Sequence, residues 1–237
     1  MKKLILHILF VIPFLAGAQT TTTSHETGIT GGGSYYLGEL NHRHFVPFSF
    51  GGGLFYRYNY DDRLALTTAF HYLPIKGDDG STNGGLQNIR NQSFSSTIYE
   101  LSIVGELNFL KYTHLEKSSP YTPYVFLGFG YFYHDLKTQA EGVNYKSYQA
   151  SIPLGLGIKY RVGKVSFEFE WGIRKTYTDY LDDVSGFFQS EAITSKDGST
   201  NDYTNFQRGN VFNKDWFVYT GLALVINLTP KQICRRP

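Results

Sequence analysis

Between Tyr145 and Thr178 the chain alternates apolar and polar residues through two runs joined by one tight turn. In the first run Tyr148, Ala150, Ile152, Leu154, Leu156, Ile158 and Tyr160 share a face, opposite Gln149, Ser151, Pro153, Gly155, Gly157, Lys159 and Arg161. After Val162-Gly163-Lys164 the second run sets Val165, Phe167, Phe169, Trp171 and Ile173 opposite Ser166, Glu168, Glu170, Gly172, Arg174 and Thr176. A period of two is that of a β-strand, whose successive side chains point to opposite faces. Strands of soluble sandwiches usually run about five or six residues. These are roughly twice as long, and a strand crossing a bilayer obliquely needs about 9–11 residues. The hairpin therefore predicts a transmembrane barrel, apolar outside and polar inside.

The rest of the chain agrees. Aromatics make up 17% of the residues and charged residues only 18%, with 25 glycines. That leaves little solvated surface for a soluble domain of this size. No internal run of apolar residues is long enough for a transmembrane helix, which needs about 18 or more. A barrel wall escapes such a search because every second residue is polar.

Residues 1–18 read as a signal peptide: Lys2-Lys3, an apolar stretch from Leu4 to Leu15, and the small-residue cleavage site Ala16-Gly17-Ala18. The mature chain is expected to start at Gln19. Removing two lysines takes the formal net charge from +2 to 0, so no charge excess points to nucleic acid. The single cysteine, Cys234, has no internal partner and is expected to be a free thiol or an intermolecular bridge.

Eight strands follow, at 25–37, 48–60, 63–75, 94–110 and 121–136, then the two strands of the hairpin, then 215–228. The fold expected is all-β: an eight-stranded antiparallel up-and-down transmembrane β-barrel of the outer-membrane type. It covers 19–228, with a periplasmic tail at 229–237. Short connections after strands 2 and 6 alternate with long ones after 3, 5 and 7, the asymmetry of outer-membrane barrels. An even count brings both termini to the periplasmic side. The connector at 111–120 is long for a periplasmic turn and reads as charged and solvated, with Pro120 and Pro123 as a possible docking point. Pro153 removes a ladder donor, so a bulge or local break is expected there.

An eight-stranded barrel is just filled by its own side chains. Alternation places Arg57, Glu100, Glu106, Lys159, Arg161, Glu168, Glu170 and Arg174 in the lumen, four bases against four acids. Glu168 and Glu170 could serve acid–base or metal chemistry, but opposite charges across the lumen make structural ion pairs the expected role. His42 and His44 lack a third ligand at a metal-site spacing. Gly31-Gly32-Gly33 and Gly51-Gly52-Gly53 lack the helix and Lys-Ser/Thr of a phosphate loop and are expected instead to relieve curvature or make room for large neighbours. No catalytic residue, cofactor or metal is expected. Tyr35, Tyr36, Tyr58, Tyr60, Tyr131, Tyr133 and Trp216 fit interfacial girdles. In the loop beyond the hairpin, Tyr180, Asp182 and Asp183 read as a capping loop with a polar surface turn, and Asp182-Asp183 could also bind a cation. Leu181 and Val184 suggest that it folds back over the barrel mouth.

Three strings carry a resemblance: Gly31-Gly-Gly-Ser-Tyr-Tyr-Leu-Gly-Glu-Leu-Asn41, Gly53-Leu-Phe-Tyr-Arg-Tyr-Asn59 and Arg174-Lys-Thr-Tyr-Thr-Asp-Tyr-Leu-Asp-Asp-Val-Ser185. Together they resemble the Bacteroidota family of small outer-membrane β-barrels that includes PorG of the type IX secretion system. The resemblance spans nearly the whole mature chain. It implies a structural, non-enzymatic component associated with the periplasmic PorK/PorN ring, with outer-membrane lipids as surroundings. In its light Cys234, Arg235 and Arg236 are candidates for binding a periplasmic ring lipoprotein. A free thiol on an unattached tail is the other reading. The alternative functions are a stand-alone barrel for adhesion or membrane stability, a narrow pore, or a small enzyme or transporter.

Overall fold

Each alternating run forms a strand, because a polar–apolar period of two separates two faces only in extended backbone. In a computed structural model the described residues are 23–38, 40–41, 43–78, 93–112, 118–138, 144–177, 181, 193–194, 198, 200–201 and 215–229. The strands are β1 (Ser24–Leu37), β2 (Ser49–Asn59), β3 (Leu64–Asp78), β4 (Ser93–Asn108), β5 (Tyr121–Thr138), β6 (Asn144–Val162), β7 (Val165–Thr176) and β8 (Trp216–Asn227). A separate two-residue ladder pairs Ile193–Thr194 with Thr200–Asn201. The eight long strands form one closed antiparallel barrel in which sequence neighbours pair. The seam between β1 and β8 runs from Glu26↔Asn227 to Leu37↔Trp216. Closure gives every long strand a paired neighbour on both sides, the condition lipid imposes on β-structure.

The barrel is apolar outside. Leu101, Ile103, Leu127, Phe129, Ile158 and Leu222 point outward and are exposed. Exposed tyrosines form two bands. Tyr72, Tyr99, Tyr131 and Tyr148 lie toward one rim, and Tyr56, Tyr60, Tyr121 and Tyr160 toward the other, as in the aromatic girdles of transmembrane barrels.

The second rim carries the tight turns. Asp61 Oδ1 accepts the N–H groups of Arg63 (2.7 Å) and Leu64 (2.6 Å), an aspartate turn. The turn at Gly163 uses a φ of 65°, open to glycine at no steric cost. Both barrel ends meet at this rim. The Leu228 N–H donates to the His25 carbonyl (2.8 Å), and the His25 N–H to Thr229 Oγ1 (2.8 Å).

Several expected boundaries shift. β3 continues to Asp78 because Lys76, Gly77 and Asp78 pair with Ser95, Phe94 and Ser93. β4 stops at Asn108 because the chain turns inward there. The Leu110 N–H bonds the Thr122 hydroxyl (3.0 Å) in place of a ladder carbonyl. At Pro153 the β5–β6 ladder skips from Leu127↔Leu154 to Gly130↔Ser151 with no change of register. The proline therefore breaks the ladder without making a bulge. The β2–β3 ladder begins only at Gly52↔Tyr72. Continued upward it would set Phe50 opposite Pro74, which has no N–H to give.

Candidate functional site in the barrel lumen

Arg57 organises the half of the lumen nearer the tight turns. Its Nη1 and Nη2 clasp both oxygens of Glu168 (2.6 and 2.7 Å). Nη1 also reaches Glu26 Oε2 (3.0 Å), and Nε reaches Glu106 Oε1 (3.0 Å) and Thr67 Oγ1 (3.2 Å). The Thr67 hydroxyl donates to Glu106 as well. Lys159 Nζ donates to Glu106 Oε2 (2.5 Å) and sits 4.5 Å from the centre of the Tyr124 ring. Arginine suits this place because its planar fork serves several carboxylates at fixed angles.

A second group lies above the first. Arg174 Nε donates to Glu100 Oε2 (3.3 Å), and the Ser151 hydroxyl donates to Glu100 Oε1 (2.8 Å). Arg174 Nη2 is 3.7 Å from Glu170, which also accepts the Tyr124 hydroxyl (3.3 Å). Between the two groups a cavity of about 30 Å³ is lined by Arg57, His71, Glu106, Tyr124, Glu168 and Arg174, room for about two waters.

Toward the long-loop rim the interior turns apolar. Tyr36, Leu40, Phe94, Phe132, Leu181 and Phe217 belong to one buried cluster. Asp215 fastens it, accepting the Tyr36 hydroxyl (2.9 Å) and the Leu181 N–H (3.1 Å). At the opposite rim Tyr112 closes the lumen from below. Its N–H donates to the Asp62 carbonyl (2.9 Å) and its hydroxyl to Ser166 Oγ (2.7 Å). The side chains of Lys159 and Arg161 lie over its ring.

These placements correct several expectations. The connector at 111–120 is not simply solvated, because Tyr112 turns back under the barrel and is buried. Arg161 stands beside Tyr112, apart from the carboxylates. Glu26 joins the network, so Arg57, Lys159 and Arg174 face Glu26, Glu100, Glu106, Glu168 and Glu170, and the expected balance of four against four gives way to an excess of carboxylate. Tyr35 and Tyr36 are not girdle residues: both are fully buried. Tyr180, Asp182, Asp183 and Val184 lie outside the described residues, as do His42, Cys234, Arg235 and Arg236. Among the described residues no three His, Cys, Asp or Glu side chains are grouped to hold a metal ion.

Residues 2–234 match the family described as Domain of unknown function (DUF6089). The chain belongs to the DUF6089 family. A search of curated proteins returns no match. Among solved structures the chain is similar to the outer membrane protein OprG from Pseudomonas aeruginosa, at 11% identity and a TM-score of 0.48, covering 88% of this chain and 99% of that one. It is also similar to Neisserial surface protein A, at 9% identity and a TM-score of 0.47, covering 86% and 97%. A major outer membrane protein from Thermus thermophilus gives 13% identity and a TM-score of 0.46, covering 86% and 99%. The architecture of this DUF6089 chain rests on its own strand register.

Tyr112 offers a direct check of the lower seal. Burial pushes its phenol above the ordinary range, opposed by the hydrogen bond to Ser166 and reinforced by Glu26 and Glu168. A phenol raised in the folded state adds stability below the unfolded value of about 10, and that stability is lost as pH climbs past it. Tyr112→Phe is expected to cost about 1 kcal/mol at neutral pH and to flatten the alkaline loss. Unfolding midpoints at pH 8 and above pH 10 measure both effects.

Proposed function

We propose that this chain is a non-enzymatic outer-membrane barrel that serves as a fixed anchor and not as a conduit. The filling of the lumen carries this reading. The Arg57 network occupies its middle, the Tyr36–Leu181 cluster its upper end and Tyr112 its lower end. An exterior of exposed Leu, Ile and Phe on a closed sheet suits lipid as solvent. The rim of tight turns then faces the periplasm, and Thr229 stands at that rim, tied to the start of β1.

The finer reading is an anchor for a periplasmic secretion complex of the PorG kind. Its support is the resemblance carried by the three strings, together with a tail that holds Lys231, Cys234, Arg235 and Arg236. Cross-linking and pull-down of the tagged protein from its own outer membrane is expected to recover a ring lipoprotein. Deleting residues 229–237 is expected to lose that partner, and Cys234→Ser a reducible higher-mass species. A partner retained after the deletion would sink the role of the tail. Steady conductance in a planar bilayer would sink the anchor itself.

A stand-alone adhesion role is the second reading. It is favoured by the fastening of Leu181 to Asp215 at the long-loop rim. It predicts binding of a surface ligand that survives deletion of 229–237.

A further inference from the structure

The described residues 43–48 of the connection between β1 and β2 lie along the outer wall, with His44 and Phe45 against the outward-facing Tyr35. Asn41 shapes it. The two hydrogens of its Nδ2 are shared among the carbonyls of Tyr36 (2.7 Å), Arg43 (3.0 Å) and Val46, and its Oδ1 accepts the Arg43 N–H (3.0 Å). Phe45 adopts a φ of 64°, an uncommon conformation for an aromatic residue. Phe48 is thereby laid over Gly33, where a Cβ would come within 1.7 Å of its ring. Tyr35 and Val218, a cross-strand pair whose side chains point out of the barrel, are covered completely. Beneath the strap the Tyr35 hydroxyl accepts the Trp171 Nε1–H (3.3 Å) and meets His44 Nδ1 (3.1 Å).

The strap's outer surface is apolar and open. Phe45, Val46 and Phe48 are exposed, and Phe50 is 82% exposed. This surface runs into the apolar wall at the exposed pair Ile29 and Leu54. One cation lies on the strap and one at the long-loop end of β7. Arg43 is exposed, and Lys175 is exposed with its Nζ 5.3 Å from the centre of the Trp216 ring. Trp216 itself pairs with Leu37 of β1, the strand that bears the strap. Apolar rings toward the membrane interior with basic groups on the strap and at the strand end match the order of acyl chain and phosphate in an anionic lipid.

We propose that this flank binds a phosphorylated anionic lipid of the outer leaflet, with acyl chains against Phe48, Phe50 and Ile29 and phosphate at Arg43 and Lys175. The proposal rests on the reading of the chain as an outer-membrane barrel. Continuity with the lipid-facing wall selects a lipid over a protein partner. The hydrogen bonds of Asn41 set the loop's shape before any ligand arrives, which lowers the ordering cost of binding.

The chain has two tryptophans, Trp171 and Trp216, and both border this flank, so intrinsic emission of the folded chain reports on it. The full chain is refolded into phosphatidylcholine vesicles carrying increasing mole fractions of diphosphorylated lipid A. A saturable change in tryptophan emission is expected. The variant carrying Arg43→Ala and Lys175→Ala is expected to need roughly thirtyfold more lipid A to reach its midpoint, about what two interfacial cations contribute. Fully dephosphorylated lipid A is expected to give no saturable change. Lys76→Ala with Lys146→Ala, which removes two exposed cations from other strands, is expected to leave the midpoint where it was. Equal midpoints for the parent and the Arg43/Lys175 variant overturn the proposal, as does an equal response to the dephosphorylated lipid or an equal weakening by the Lys76/Lys146 variant. Protease protection in the same vesicles separates the two levels. A chain that inserts but does not respond to lipid A fails this proposal alone, and a chain that never inserts fails the membrane reading with it.

Discussion

Arg57→Met is expected to destabilise the barrel by about 3–5 kcal/mol, the usual cost of removing one member of a buried ionic cluster. The residue is 2% exposed and serves Glu26, Glu106 and Glu168 together. Methionine fills much of the space but leaves Glu26 and Glu168 without this cation in a site that water scarcely reaches. Glu106 keeps Lys159. Arg57→Lys is expected to fall in between, because one ammonium has three donors on a point and cannot clasp Glu168 while reaching Glu106. The informative variant is double. Arg57→Met with Glu168→Leu is expected to be less destabilised than Arg57→Met alone, since replacing a buried pair with apolar groups costs little. Urea midpoints in lipid vesicles, followed by tryptophan emission, give the comparison. If Arg57→Met unfolds at the parent's midpoint, the lumen charges do not hold the barrel together and the anchor reading loses its main support.

The wall of this barrel was legible in the sequence because lipid and lumen impose opposite polarity on alternate residues. The hairpin shows it most fully, and β7 begins and ends where the alternation does. The lumen was legible only where it is charged. In β5 the inward residues include Tyr124, Phe126 and Phe132, as apolar as the outward Val125, Leu127 and Phe129. Periodicity cannot rank two apolar faces, so the upper cluster had no signal. Tyr36 was mistaken for a girdle residue for the same reason. Glu26 sits two residues from Ser24 and Gly28 on the inner face, and a strand rich in glycine and threonine gives its charge no apolar contrast. Tyr112 was hidden in a charged connector, where one aromatic does not announce that the chain turns inward. Which charges meet is a further matter. Arg57 and Glu168 are 111 residues apart, and their encounter depends on registers set by every strand between them.

Gly172→Val is expected to destabilise the barrel by about 1–3 kcal/mol, the range for overpacking a filled interior, and the loss is expected to depend on Phe126. The register Phe126↔Gly155↔Gly172 sets three inward positions side by side on β5, β6 and β7. The Phe126 ring lies across both glycines. A Cβ at either one would come within 2.6 Å of its Cζ, and a Cβ at Gly172 would also meet Arg174 Nη1 at 2.9 Å. The ring has little room to yield, since it packs in one buried cluster with Val104 and Tyr124. A branched side chain at 172 must therefore displace the ring or push Arg174 away from Glu100. Trimming the ring separates these outcomes. Phe126→Leu alone leaves a gap and costs stability, but in the double variant the valine grows into the space the ring vacated. The double loss is then smaller than the sum of the single losses, by an amount typical of residues in contact, about 0.5–3 kcal/mol. Strict additivity would place the damage at Arg174, because trimming the ring would then give the valine no relief, and the ion pair to Glu100 would be the contact that makes glycine necessary at 172.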